Sequence, residues 1–253
     1  MWTRREAVAG GLLTLLCGHC AHAETSRTPH TFGCCLASED VEAVYPNGTD
    51  TRVFFTGNEA MIPRSGDRDF DYALAQTLAK ISDDFGVLPG FAYYDDYDSH
   101  NAHATERTSL NRADGTVLMG INLQSQLRAG RDHPDVAVAA VCSHEFGHIL
   151  QYRHRLVERV NAGEPTVKRS ELQADYFAGY YAGLRKKERP TYPAAVVAVT
   201  QGDFGDTNYK SHTHHGTEEE RANAVVRGFN AAFHENKNLD VAIEESTRYV
   251  LTL

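Results

Sequence analysis

Residues 144–148 read His-Glu-Phe-Gly-His. On an α-helix four residues advance by about 400°, so His144 and His148 project from one face a turn apart, with the Glu145 carboxylate beside them. Two imidazoles at that spacing suit zinc, and the flanking acid suits removal of a proton from a water held there. The chain has 13 His, and its composition gives roughly 0.04 chance occurrences of such a string. The flanking Val136, Ala139, Ala140, Cys142, Phe146 and Ile149 are apolar on every side. That pattern predicts a central helix rather than a surface helix with two incidental histidines. Gly147 costs about 1 kcal/mol relative to Ala in a helix interior, and is read here as leaving backbone room at the metal.

A catalytic zinc takes three protein ligands and a water. Downstream lies Ser170-Glu171-Leu172-Gln173-Ala174-Asp175, in which Glu171 and Asp175 share a helical face. Glu171 is the expected third ligand. Asp175 is expected to accept the remaining N–H of a ligating histidine, fixing its tautomer. Taken alone the pair could be ordinary solvated acids, with Ser170 and Gln173 serving only a helix cap. Farther on, Ser211-His212-Thr213-His214-His215-Gly216-Thr217-Glu218-Glu219-Glu220-Arg221 offers donors for a developing oxyanion and a guanidinium for the acids of the preceding helix. Spacing alone does not separate this stretch from a histidine-rich solvent loop.

Several elements must position these groups. Phe70, Ala73, Leu74, Thr77, Leu78 and Ile81 recur at helical spacing before Gly86, which predicts a helix over about 67–84. Phe91–Tyr94 and Thr116–Ile121 are predicted strands, with Asn101-Ala102-His103-Ala104 in the loop between them. The metal helix is expected to start at Pro134 and run to about Leu156. Further helices are expected over about 169–187, 194–200 and 217–233. No internal repeat is present.

The chain has 253 residues and a formal net charge of -9, from 25 Lys+Arg against 34 Asp+Glu. That charge leaves no basic stripe for neutralising phosphates and argues against a nucleic-acid partner. The amino terminus places Arg4 and Arg5 before an apolar run from Ala7 to Cys17, and then Ala21-His22-Ala23. This reads as a signal peptide over 1–23, with a twin-arginine character, and implies export to the periplasm or outside the cell. A lead-in follows over 24–60, then the domain over 61–253. Removal of the leader leaves Cys34, Cys35 and Cys142, which form at most one intramolecular bridge and no disulfide framework. Cys34 and Cys35 are zinc donors by type, and either could occupy the metal's remaining position as a latency device. Cys142 sits about 200° around the helix from His144 and is expected to face the core.

HEFGH, then ELQADYFAG, then HHGTEEER together resemble the gluzincin metallopeptidases. The likeness is to the bacterial neutral zinc metallopeptidases and to the minigluzincins related to the CAAX prenyl proteases. It spans roughly 67–233, and includes Asn101–Ala104 and Gly115–Ile121. The resemblance implies an α+β, zincin-like fold, with a small mixed sheet whose edge strand packs on the metal helix. It implies one zinc held by His144, His148 and Glu171, with Glu145 as general base and Asp175 and Arg221 behind the ligands. The family's late histidine lies six residues before its arginine, which selects His215, while His214 follows Thr213 as the family's histidine does. Thr116, Val117, Leu118, Met119, Gly120 and Ile121 would form the edge strand on which an extended peptide or protein substrate lies. The implied activity is that of a secreted or periplasmic zinc metalloendopeptidase. A zinc-containing scaffold without activity, and a zinc amidase or deacetylase acting on the cell envelope, are the alternatives.

Overall fold

The computed structural model describes residues 59–97, 99–129 and 132–253. The expected leader, Cys34 and Cys35, and the lead-in as far as residue 58 lie outside the described residues. These form an α+β fold of eight helices and a small three-stranded sheet. None of these helices is long and apolar enough to cross a membrane.

The first helix, α1 (Arg68–Phe85), begins at Asp67, whose side chain accepts the Phe70 N–H, and ends at Gly86 with φ 63°. Strands β1 (Gly90–Tyr94), β2 (Ala102–Thr105) and β3 (Thr116–Gly120) follow. Their order is β1-β3-β2, with β1 parallel and β2 antiparallel to β3. Two expectations are thereby corrected. Residues 102–105, expected in a loop, form a strand because β3 supplies the pairing that two alanines and a histidine do not specify by propensity. The stretch from Thr116 through Val117, Leu118, Met119 and Gly120 is the middle strand, not the edge. Its hydrogen-bonding directions are both taken by neighbours, so no substrate backbone can pair with it, and Ile121 already starts the next helix.

That helix, α2 (Ile121–Arg128), leads to α3 (Pro134–Arg153). Proline occupies the first turn of α3, where no N–H is needed. The helix is buried continuously from Val136 to Gln151, as expected of one apolar all round. It stops earlier than expected: Arg155, at φ 52°, separates it from the short α4 (Leu156–Val160). Then come α5 (Lys168–Glu188), α6 (Ala195–Gly202), α7 (Glu218–Phe233) and α8 (Leu239–Val250). A capping box between Thr217 and Glu220 starts α7.

One face of the sheet, with Tyr93, Ala102, Ala104, Val117 and Met119, joins Ile81 and Phe85 of α1 and Phe146, Ile149 and Leu150 of α3 in the main core. The other side of α3 meets α5, α6 and α7 through Ala140, Ala178, Val197 and Val225. Glycines set the α5–α7 spacing. A Cβ on Gly179 would lie 1.9 Å from the Val225 carbonyl oxygen, and one on Gly228 would lie 1.8 Å from that of Tyr176. Because both obstacles are backbone, only separation of the helices relieves the clash. Gly228→Ala is therefore expected to destabilise the chain by at least about 2 kcal/mol. The effect would be read as a lower urea midpoint at unchanged m, and a midpoint equal to wild type would contradict this packing.

Candidate metal centre

Helix α3 supplies His144 and His148, and α5, packed across it, supplies Glu171. All three are buried, and each offers a ligand atom within 4.8 Å of the others. The two Nε2 atoms lie 3.1 Å apart. Glu171 spans them, with Oε2 3.4 Å from His144 Nε2 and Oε1 3.4 Å from His148 Nε2.

The opposite ring nitrogens have unlike partners. His144 Nδ1 lies 2.8 Å from Asp175 Oδ1. Arg221 grips that carboxylate at two points, with Nε donating to Oδ2 at 2.9 Å and Nη2 to Oδ1 at 3.0 Å. Its Nη2 also donates to Gln201 Oε1 at 3.3 Å, and Gln201 Nε2 donates to the Ala140 carbonyl of α3 at 2.9 Å. An anion therefore stands behind His144. Behind His148 stands a neutral amide, with Gln151 Oε1 2.8 Å from Nδ1.

Charge in this shell is tightly coupled. Burial disfavours a charged His144, but the Asp175 and Glu171 carboxylates outweigh it and raise the ring to about 10 in the metal-free protein. Burial also opposes ionisation of Glu171. Its interactions with the imidazoles of His148, His215 and His144 outweigh it and hold Glu171 well below the usual carboxylate range. Next to His144 in the chain, Glu145 is 3% exposed, and its Oε2 is buried without a hydrogen-bond partner. A buried carboxylate oxygen in that position is costly unless a ligand or water engages it. The donor types, their spacing and the Glu145 oxygen all fit zinc and its water.

The two late histidines are separated clearly. His214 is 3% exposed, its Nδ1 lies 2.6 Å from Asp206 Oδ1, and its ring packs edge-on to Tyr209. The His215 side chain is 35% exposed, and of the two it is His215 whose charge acts on Glu171. Asp206 clasps the turn by accepting the His215 backbone N–H at 2.9 Å. It lies in a loop eight residues before His214, where no periodicity marks it. Gln151 was findable, since it sits three residues after His148 on the same helix.

Gly147 has a different role from the one expected. Its missing Cβ faces Ala174 and Phe177 of α5, at 3.2–3.3 Å, so it permits close helix contact rather than room at a metal. Cys142 lies in the core, where burial and the Glu145 charge push its thiol upward. No protein-family model, curated protein or solved structure matches the chain.

The raised His144 predicts a pH dependence. Its folded value of about 10 exceeds the ordinary 6.5. Its contribution to stability is therefore fully present below about 6.5 and is lost as pH rises through about 10. Thermal unfolding of the metal-free chain should show the midpoint falling between pH 7 and 10, whereas a midpoint that climbs across that window would contradict the assignment. Apparent zinc affinity should move the opposite way, rising by up to about tenfold per pH unit as one fewer proton must be displaced.

Proposed function

We propose that this chain is an exported zinc metallopeptidase of gluzincin type, with a zincin-like fold. The observation that carries the reading is the convergence of His144, His148 and Glu171, from two helices, within 4.8 Å of one another. The buried, unpartnered oxygen of Glu145, on the same helix as the two histidines, supports a catalytic over a purely structural role. The Arg4-Arg5 pair, the apolar run and Ala21-His22-Ala23 support export.

Zinc, when bound by these three residues, supplies the positive charge that acidifies a water and polarises a peptide carbonyl. The residues of this chain do the rest. Glu145 takes the proton at its carboxylate and returns it to the leaving amine as the C–N bond breaks. His215, half-exposed and held by the Asp206 turn, donates to the oxyanion as charge develops on it. Asp175 and Arg221 keep His144 turned with Nε2 toward Glu171.

The expected result for Glu145→Gln is retention of zinc with loss of casein hydrolysis by about 10²- to 10⁴-fold. Unchanged activity in that variant would remove the mechanism. Peptidoglycan fragments assayed in parallel identify an amidase, should turnover occur there and not on casein. His215→Ala should lower kcat by about 10²-fold with little change in KM, as removal of an oxyanion donor does. A change in KM alone would assign His215 to substrate binding instead.

A further inference from the structure

The amide behind His148 belongs to a longer chain of hydrogen bonds. Gln151 Nε2 donates to the Ser170 carbonyl at 2.7 Å and to Gln173 Oε1 at 3.0 Å. Gln173 Nε2 donates in turn to Ser246 Oγ at 3.1 Å and Thr247 Oγ1 at 2.9 Å, both on α8. Those two hydroxyls give their own protons to the Ile243 carbonyl, at 2.9 and 2.8 Å. His148, Gln151, Ser170, Gln173, Ser246 and Thr247 are all buried, so bulk water does not reverse any link.

The polarity of this chain is fixed at both ends by groups that can only accept. At the far end, the hydroxyls spend their protons on Ile243 and must accept from the Gln173 amide nitrogen. The Gln173 oxygen therefore faces Gln151. At the near end, the Ser170 carbonyl demands the Gln151 amide nitrogen. The Gln151 oxygen is left facing His148 Nδ1, which must then carry the proton. A neutral imidazole with Nδ1–H has its lone pair at Nε2, the atom beside His144 and Glu171.

We propose that Gln151 and Gln173 are positioning residues that transmit hydrogen-bond polarity from α8 to His148 and hold its ring as the Nδ1–H tautomer. The two histidines are thus oriented by different devices: His144 by an anion held by Arg221, and His148 by a neutral relay anchored in the last helix. A consequence is that the seating of α8 is felt at the His148 ring, through Gln173 and then Gln151. The metal-directed part of this inference rests on the zinc reading above, while the tautomer itself does not.

The test uses the full chain with ¹⁵N-labelled imidazoles. In the metal-free wild type, the nitrogen shifts of His148 should report Nδ1–H. Gln151→Met, which has no acceptor oxygen, should give the Nε2–H form or a mixture. In a competition titration with a chelator it should weaken zinc binding by about ten- to hundredfold. Gln173→Met leaves the Ser170 anchor in place and should have a smaller effect on both readouts. Nε2–H in the wild type would overturn the proposal. So would a folded Gln151→Met chain with wild-type tautomer and zinc affinity, or a larger effect from Gln173→Met than from Gln151→Met. Should Gln151→Met fail to fold, the wild-type tautomer decides. The expected tautomer pattern in a chain that binds no zinc would uphold the relay and defeat the zinc reading instead.

Discussion

Acidic side chains buried in a dry place are the constraint on which the rest of this structure depends. Glu145, Glu171 and Asp175 are all buried, and Arg221 is the buried guanidinium that grips Asp175. Carboxyl groups taken out of water are tolerated poorly by a protein interior unless a partner engages them. Without a metal, the site responds by holding a proton on His144. On the proposed reading, a divalent cation would replace that proton at the point where two imidazole nitrogens converge. On that reading, metal affinity and proton affinity are two expressions of one electrostatic imbalance.

Packing makes the imbalance possible. Helix α3 is buried all round, so its polar face cannot escape to water and must find partners inside. Gly147 lets α5 come close enough to place Glu171 against both rings, and Gly179 and Gly228 let α7 come close enough for Arg221 to reach Asp175. Small residues at two helix crossings therefore do electrostatic work, because each extra ångström of separation would weaken the charge pairing. The C-terminal helix adds a neutral support behind His148 through Gln173 and Gln151, so both rings are braced by residues anchored on other helices.

Periodicity explains what was legible in the sequence. The metal helix, its partner carrying Glu171, and the Asp175–Arg221 pairing are written in i,i+4 spacing and in the order of three motifs, and the structure brings those side chains together. Strand β2 was hidden, since Ala102-His103-Ala104 lacks strand propensity and becomes extended only by pairing with β3. Taking 116–121 for an edge failed for the same reason, because strand order is a tertiary property. Helix α8 carries a local signal that the sequence expectations do not include: Asn238 caps it, and Leu239, Ala242, Ile243 and Val250 recur at helical spacing. Asp206 and Gln201 left no signal, as each acts from another segment through one hydrogen bond. The role of Gly147 could not be read either, because a missing side chain does not reveal which neighbour needs the space.

The most direct measurement is the zinc content of the purified full chain, by elemental analysis after exhaustive dialysis, for wild type and His148→Ala. The account predicts one zinc per wild-type chain and a small fraction of that in the variant. Zinc absent from a folded wild-type chain supplied with the metal, or retained at full stoichiometry in His148→Ala, would contradict it.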